Sequence, residues 1–285
     1  MARIAIIGGG NMGEALLAGL LRAGRQVKDL VVAEREPARA QQISENYSVR
    51  VASVADAAEY AAYVIVAVKP SDFDGVVSEI AEVAAKAGAD STEQVFVSVA
   101  AGISTAFFES RLPAGAPVIR AMPNAPALVG AGVTALAGGR FVSDAQLCAV
   151  AELFDAVGRV LRVPEAQLDA VTAVSGSGPA YFLLMVEALV DAGVAAGLSR
   201  PDATDLVTQT MVGSAAMLLE RMDAEGAAPG GGVDTTAAQL RALITSPGGT
   251  TAAGLRELER GGLRAAVADA VAAAKARSEQ LGNDI

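Results

Sequence analysis

Arg3-Ile4-Ala5-Ile6-Ile7-Gly8-Gly9-Gly10-Asn11-Met12-Gly13 opens the chain, and Glu14-Ala15-Leu16-Leu17-Ala18-Gly19-Leu20-Leu21 follows it. An apolar run of strand length stops at glycine, and apolar residues then recur at helical spacing. The stretch reads as strand, tight turn and helix, with Gly8, Gly10 and Gly13 in the positions of a G-x-G-x-x-G fingerprint. Each glycine has its own physical task. Gly8 lets the backbone turn off the strand, Gly10 lets a pyrophosphate approach the main chain, and Gly13 lets the helix lie close on the sheet. The helix start then offers free N–H groups and the positive end of its dipole to phosphates. A plain glycine turn is the alternative, but strand and helix both flank these glycines, and that context favours a dinucleotide site.

Leu30-Val31-Val32-Ala33 is the second strand, and Glu34-Arg35 stands at its end, about 20 residues beyond the fingerprint. An acid there suits the ribose hydroxyls of NAD, whereas a neighbouring Arg suits the 2′-phosphate of NADP. Arg35, with Arg39 one turn further on, inclines the reading to NADP(H), with some use of NAD(H). Val49 to Ala52 is a short strand, and Ser53 caps a short helix. Tyr63 to Val68 is a continuous apolar run of the kind buried on both faces of a parallel sheet. It stops at Lys69-Pro70, where Ser71 is placed to cap the next helix. Ligands of open α/β sheets bind beyond the carboxyl ends of the strands, so Ala67, Val68, Lys69 and Pro70 are expected to face the cofactor.

Gln94 to Val99 is the next strand, and Ala100-Ala101-Gly102 leaves it with side chains small enough for a ribose or nicotinamide to approach. Ser104 caps a short helix. Pro117 to Met122 is a strand ending in Pro123-Asn124-Ala125-Pro126, where two prolines are expected to hold the loop extended and present Asn124 as a polar contact. Gly132 to Ala137 and Arg159 to Val163 flank a helix from about Asp144 to Ala156. Strands alternating with helices predict an α/β Rossmann-type doubly wound sheet over residues 1–163.

Near Pro164 the pattern changes, and residues 164–285 read as an all-α oligomerisation domain. Ser175-Gly176-Ser177-Gly178-Pro179 is expected as a tight turn before a helix from Ala180 to Ala196, and Ser199 and Pro201 open a helix to about Met222. Ala227 to Gly232 reads as a loop tip, Thr235 to Leu243 as a helix, and two last helices split at Gly261-Gly262. Gly193 and Gly197, one turn apart, permit close helix approach, either within the chain or, the favoured reading, at a subunit interface. Ser246-Pro247-Gly248-Gly249-Thr250-Thr251 could be an anion cradle, because glycines expose N–H groups, hydroxyls donate and a helix begins there. A capped helix start with a glycine turn explains the same residues equally well.

The 285 residues are 52% hydrophobic but only 4% aromatic, so the core is built mostly of Ala, Val and Leu. A net charge of −10 argues against a nucleic-acid backbone or an anionic membrane as partner. The most apolar helix, Tyr181 to Leu198, carries Glu187 and Asp191 and reads as a core or interface helix rather than a membrane span. One cysteine, Cys148, and no signal-peptide pattern fit a reducing, cytoplasmic setting. The chain has no histidine, which removes histidine acid–base chemistry and histidine-bound metal; no metal is expected.

Taken together, these motifs resemble the pyrroline-5-carboxylate reductase family. The resemblance rests on Ile7 to Met12, Ala67 to Pro70, Val99 to Gly102, Arg120 to Asn124, Asp169 to Thr172, Ser175 to Tyr181 and Ser246 to Thr251, in the family's order along nearly the whole chain. It implies a Rossmann domain joined to a helical dimerisation domain, with dimers often assembling into decameric rings. It implies NAD(P)H and L-1-pyrroline-5-carboxylate as ligands and L-proline as product. The residues expected to hold the cofactor, from the fingerprint, the strand ends and the loops together, are Ile7, Gly8, Gly9, Gly10, Asn11, Met12, Arg35, Ala67, Val68, Lys69, Pro70, Ala100, Ala101 and Asn124. Ser246, Gly248, Gly249, Thr250 and Thr251 would hold the substrate carboxylate, with Thr251 as the catalytic hydrogen bond to the ring nitrogen and Glu165 as an acid near the substrate. Two positions depart from the family: Glu34-Arg35 replaces a small hydroxyl residue, and Leu243, one turn before Ser246, replaces an Asn found in some members.

The chemistry agrees with the residue inventory, since reducing a cyclic imine needs a hydride on carbon and a proton on nitrogen, with neither metal nor covalent intermediate. A β-hydroxyacid or deazaflavin-linked NADP oxidoreductase is the nearest competitor. The former wants a catalytic lysine in the helical half, where Lys275 near the C-terminus is the only one. A non-catalytic NADP(H)-sensing module is the other alternative, and the intact Ser246–Thr251 stretch argues against it.

Overall fold

Ile4, Ala5, Ile6 and Ile7 are fully buried, and they alternate between two cores. Ile4 and Ile6 join Leu16, Leu17, Leu20 and Phe154 on one face; Ala5 and Ile7 join Val64, Val66, Phe73 and Phe96 on the other. Double burial is why the stretch lacks polar alternation. The computed structural model describes residues 2–87, 94–225 and 236–283. In it, β1 (Ile4–Ile7) lies inside an eight-stranded sheet of order β3-β2-β1-β4-β5-β6-β7-β8. The other strands are β2 (Leu30–Ala33), β3 (Arg50–Ala52), β4 (Tyr63–Val66), β5 (Val95–Ser98), β6 (Val118–Met122), β7 (Gly132–Gly138) and β8 (Gly158–Arg162). The helices α1 (Asn11–Arg22), α2 (Pro37–Tyr47), α3 (Val54–Ala58), α4 (Phe73–Ala87), α5 (Thr105–Glu109) and α6 (Asp144–Phe154) complete the α/β part.

All pairings are parallel except β6 with β7. The cause is the length of the link. A parallel crossover needs a dozen or more residues, and the stretch between Met122 and Gly132 is too short for one. It contains a 3-10 turn, Ala125–Val129, so the expected extended loop is corrected: Asn124 is extended, but Pro126 sits in the first turn of the 3-10 helix, where its fixed φ is welcome. Ser53 and Ser104 accept hydrogen bonds from Asp56 N and Phe107 N, both at 3.1 Å, as N-caps do. Ser71 does not cap α4. Pro70 starts a 3-10 turn, Pro70–Asp72, whose cap residue is Lys69, and Ser71 lies inside that turn.

After β8 the described residues contain no further strand. Glu165–Gln167, α7 (Leu168–Val171) and a π-helical turn, Thr172–Gly176, lead into α8 (Gly178–Ala195). The expected tight turn at Ser175–Pro179 is therefore a wide helical turn, closed by Ser177 N on Thr172 O at 2.9 Å. Pro179 has no N–H to lose there and fits the first turn of α8. The helices α9 (Arg200–Glu225), α10 (Thr236–Leu243), α11 (Thr250–Arg260) and α12 (Leu263–Asn283) follow. The expected Ala227–Gly232 loop, and the helix start at Thr235, lie outside the described residues.

The chain forms two compact units, Met1–Pro179 with Val271–Ile285, and Ala180–Ala270. The change from strands to helices near Pro164 thus precedes the division between units: α7 packs Leu168 against Ala135 and Ala137 of β7. In the second unit Gly193 serves packing within the chain. A Cβ on Gly193 would meet the Ala203 methyl at 3.3 Å, so this glycine lets α8 approach α9 of the same chain. Gly197 lies past the end of α8 at φ +105°, closing it with Leu198 N on Gly193 O at 3.1 Å and its own N–H on Val194 O at 3.0 Å.

Candidate functional site

The carboxyl ends of β1, β2 and β4 surround a cleft of about 490 Å³. Its floor is the glycine turn. Gly8 has φ +106°, and a Cβ there would stand 2.7 Å from the Ala67 carbonyl oxygen, so a side chain is excluded by both conformation and space. A Cβ on Gly13 would fall 1.9 Å from the Gly8 carbonyl, which is how closely α1 comes to the turn. Gly10 differs: a Cβ there would meet nothing within 4 Å. It caps α1 without any side-chain hydrogen bond, so the first N–H groups of α1, from Asn11 to Gly13, lack intrahelical partners. Open space over uncapped amides at a positive dipole end fits a pyrophosphate.

The rest of the wall comes from the strand ends. Ile7, Ala33, Ala67, Val68 and Lys69 line the cleft, together with Glu34, Arg35, Ser53 and Asp72. Glu34 is pinned: Oε2 accepts from Gly9 N at 2.8 Å and Oε1 from Glu36 N at 2.9 Å. Arg35 reaches across to Asp72, Nη1 to Oδ1 at 3.0 Å and Nη2 to Oδ2 at 3.2 Å. The suggestion that Arg39 joins Arg35 is corrected. Its Nε donates to the Gly9 carbonyl at 2.8 Å, its Nη1 to Gln42 at 2.8 Å, and its remaining amine pairs with Glu14. Tyr47 also donates to Glu14, at 3.0 Å. Burial, and then that hydrogen bond, push the Tyr47 phenol above its ordinary range.

Other expected cofactor residues are placed differently. Met12 packs its side chain on the core, leaving only its backbone toward the turn. Pro70 starts the 3-10 turn and is exposed. Ala100 is buried in the core, and Ala101 does not line the cleft. The neighbouring Gly102 abuts Leu281 and Gly282 at the end of α12. Asn124 is occupied by the fold itself: Oδ1 accepts from Val133 N at 2.9 Å and Nδ2 donates to Ser175 O at 3.3 Å.

Glu165 is likewise engaged. Its two oxygens accept from Thr105 N at 2.7 Å and Thr105 Oγ1 at 2.6 Å, and Arg120 Nη1 lies 3.6 Å away. Arg120 also faces Asp169 at 3.9 Å, and Ser278 of α12 donates to Asp169 at 2.7 Å. Arg120 is an arginine inside an apolar strand, a pattern that requires buried partners. That signal was available in the sequence; Asp72, far from Arg35 along the chain, gave none.

The second chemical stretch lies in the other compact unit. Gly248 has φ +70°, Gly249 N donates to Ser246 O at 3.1 Å, and Gly249 caps α11 with no side-chain hydrogen bond. Thr250 and Thr251 therefore begin a helix whose first amides lack intrahelical partners. Ser246, Gly248, Thr250 and Thr251 are exposed in the single chain. An uncapped helix start ringed by hydroxyls is an arrangement that can grip a carboxylate. Among the described residues no group of His, Cys, Asp and Glu could hold a metal ion.

Comparison with known proteins separates the two halves. Residues 3–102 match the family model described as NADP oxidoreductase coenzyme F420-dependent, and residues 165–281 match pyrroline-5-carboxylate reductase dimerisation. The chain is 70% identical over 286 aligned positions to pyrroline-5-carboxylate reductase of Mycobacterium tuberculosis H37Rv, covering 99% of this chain and 97% of that one. Identity to the Mycobacterium leprae enzyme is 68%, with the same coverage. Among solved structures, a pyrroline-5-carboxylate reductase from Coxiella burnetii superposes with a TM-score of 0.87 at 33% identity, covering 98% of both chains. A Plasmodium falciparum pyrroline carboxylate reductase with NADP bound gives 0.82 at 29% identity, covering 99% of this chain and 98% of that one. The F420-type match stops at the generic nucleotide-binding half, whereas the likeness that includes the uncapped Ser246–Thr251 turn runs from end to end; the chain belongs to the pyrroline-5-carboxylate reductase family.

Proposed function

We propose that this chain reduces L-1-pyrroline-5-carboxylate to L-proline with NADPH, the last step of proline biosynthesis, in the cytoplasm. When bound, the cofactor supplies the hydride. The observation that carries its placement is the glycine turn, with open space above Gly10 over the uncapped amides of α1. Gly10, Asn11 and Met12 would meet the pyrophosphate with backbone amides, over a floor made by Gly8 and Gly9, whose own N–H groups are held by Ala33 O and Glu34. Ile7, Ala67, Val68 and Lys69 would wall the cleft, and Arg35 would take the 2′-phosphate. NADH would be accepted more weakly, its ribose hydroxyls meeting Glu34.

Ser246, Gly248, Gly249 and Thr250 would grip the substrate carboxylate at the start of α11, where the helix dipole favours an anion. Thr251 would hydrogen-bond the ring nitrogen and carry its proton; a hydroxyl both donates and accepts, so it can serve a basic imine and then an amine. Glu165, the acid that the family resemblance implies near the substrate, holds Thr105 and faces Arg120. Two chains pair through the helical half, and the family resemblance extends this to a ring of five dimers. The test is loss of NADPH absorbance on addition of the pyrroline carboxylate, with L-proline as product, repeated with NADH. Cofactor binding without turnover would instead mark a sensing module.

A further inference from the structure

The Arg35–Asp72 pair has a position the sheet order makes unavoidable. Arg35 follows β2, Asp72 follows β4, and β1 lies between them in the sheet. A contact between the two must therefore cross the cleft above the glycine turn at the end of β1. Both residues line that cleft. The pair is bidentate, at 3.0 and 3.2 Å, with Arg35 81% exposed and Asp72 27% exposed. An exposed pair of this kind is weak and easily exchanged.

We propose that Asp72 is a specificity-determining residue, which sets the discrimination between NADPH and NADH by competing with the 2′-phosphate for the fork of Arg35. The inference rests on the cleft being the dinucleotide site. Asp72 holds the Nη1–Nη2 edge of the Arg35 fork, so a 2′-phosphate can chelate that edge only by displacing the carboxylate, and on the Nε edge it would bind beside the Asp72 charge. Glu34 cannot play this part, because its two oxygens are held by Gly9 N and Glu36 N and its charge stays where it is. Asp72 has Arg35 as its one side-chain partner among the described residues. NADH, with no phosphate at that position, leaves the pair closed across its ribose. NADPH has to draw Arg35 away, so its affinity carries the cost of opening the pair, and that cost is what Asp72 contributes.

The experiment is a fluorescence titration of the full chain with NADPH and with NADH, for wild type, Asp72→Asn, Arg35→Ala and the double variant. Asp72→Asn should tighten NADPH about fivefold, the upper range for an exposed ion pair, and change NADH less than about twofold. In the Arg35→Ala background the gain from Asp72→Asn should fall below about twofold, as a double-mutant cycle requires of a residue acting through its partner. Equal tightening of both cofactors overturns the proposal, as does a gain that survives the loss of Arg35. A wild-type chain that binds neither cofactor takes down the dinucleotide reading of the cleft and this assignment with it.

Discussion

Two arginines a helical turn apart, Arg35 and Arg39, divide the labour at the cofactor cleft. Arg35 is exposed and its fork is exchangeable; Arg39 is locked beneath the turn by Gly9 and Glu14. Arg35→Ala should therefore weaken NADPH by about tenfold, the low end for a charge-assisted hydrogen bond, and leave NADH nearly unchanged. Arg39→Ala should weaken both cofactors alike and lower the stability of the fold by ~1–2 kcal/mol, since the Gly9 carbonyl loses its side-chain partner and Glu14 keeps only Tyr47. Parallel titrations and thermal melts of the two variants check this; a selective NADPH defect in Arg39→Ala would reverse the assignment. The sequence shows two exposed-looking basic residues at helical spacing and cannot tell these roles apart. The partners that separate them, Gly9 for Arg39 and Asp72 for Arg35, come from elsewhere in the chain and meet only when β1, β2 and β4 align. Arg120 is the contrary case, because a charge within Val118-Ile119-Arg120-Ala121-Met122 must find buried partners wherever the chain goes.

At the scale of single elements, the start of α11 carries the substrate proposal, and two substitutions divide its hydroxyl from its backbone. Thr251→Ala should lower kcat by about a hundredfold or more, within the range for a positioned proton-transfer group, with NADPH affinity unchanged. Thr250→Pro removes one amide at the first helical position, where proline is tolerated and Gly249 is already extended at ψ 177°. It should raise KM for the pyrroline carboxylate by about tenfold without loss of helix content, while Thr250→Ala should not. Equal behaviour of Thr250→Pro and Thr250→Ala would remove the backbone from carboxylate binding. Elements like these were legible because their determinants are local: glycine turns, serine caps at Ser53 and Ser104, and buried strands without polar alternation. The misreadings were local signals overridden by neighbours. Pro70 began its turn before Ser71 could cap, Pro126 joined a 3-10 turn, and the Ser175–Pro179 stretch continued as helix. The reversed direction of β7 follows from connection length, which the sequence displays but apolar patterning alone does not weigh.

Over the whole molecule the open question is what covers α8 and α9. Phe182, Leu183, Leu184, Leu189, Leu206 and Val212 are each at least half exposed in the single chain. Phe182, Met185, Leu189, Leu206 and Met211 line an apolar groove of about 360 Å³ between the two helices. The helical run Glu165–Ala195 is long and apolar enough to cross a membrane by length and composition alone. Lipid is a poor cover for it, because Glu187 and Asp191 lie on the same run, and carboxylates are expensive inside hydrocarbon. A second copy has no such difficulty: acids can stay at the rim while leucine and phenylalanine meet across the seam. The match of residues 165–281 to a dimerisation family points the same way. Leu189→Glu places a charge in the groove and should convert dimers to monomers at micromolar concentration in sedimentation equilibrium. Because a partner that binds only the folded chain stabilises it by mass action, the wild-type Tm should rise with protein concentration and that of Leu189→Glu should not. The sheet unit should stay folded in the variant, and NADPH titration reports on it independently, since the cleft lies entirely within Met1–Pro179. A variant that remains dimeric would place the seam on another face of the chain and leave these leucines to be covered by something else.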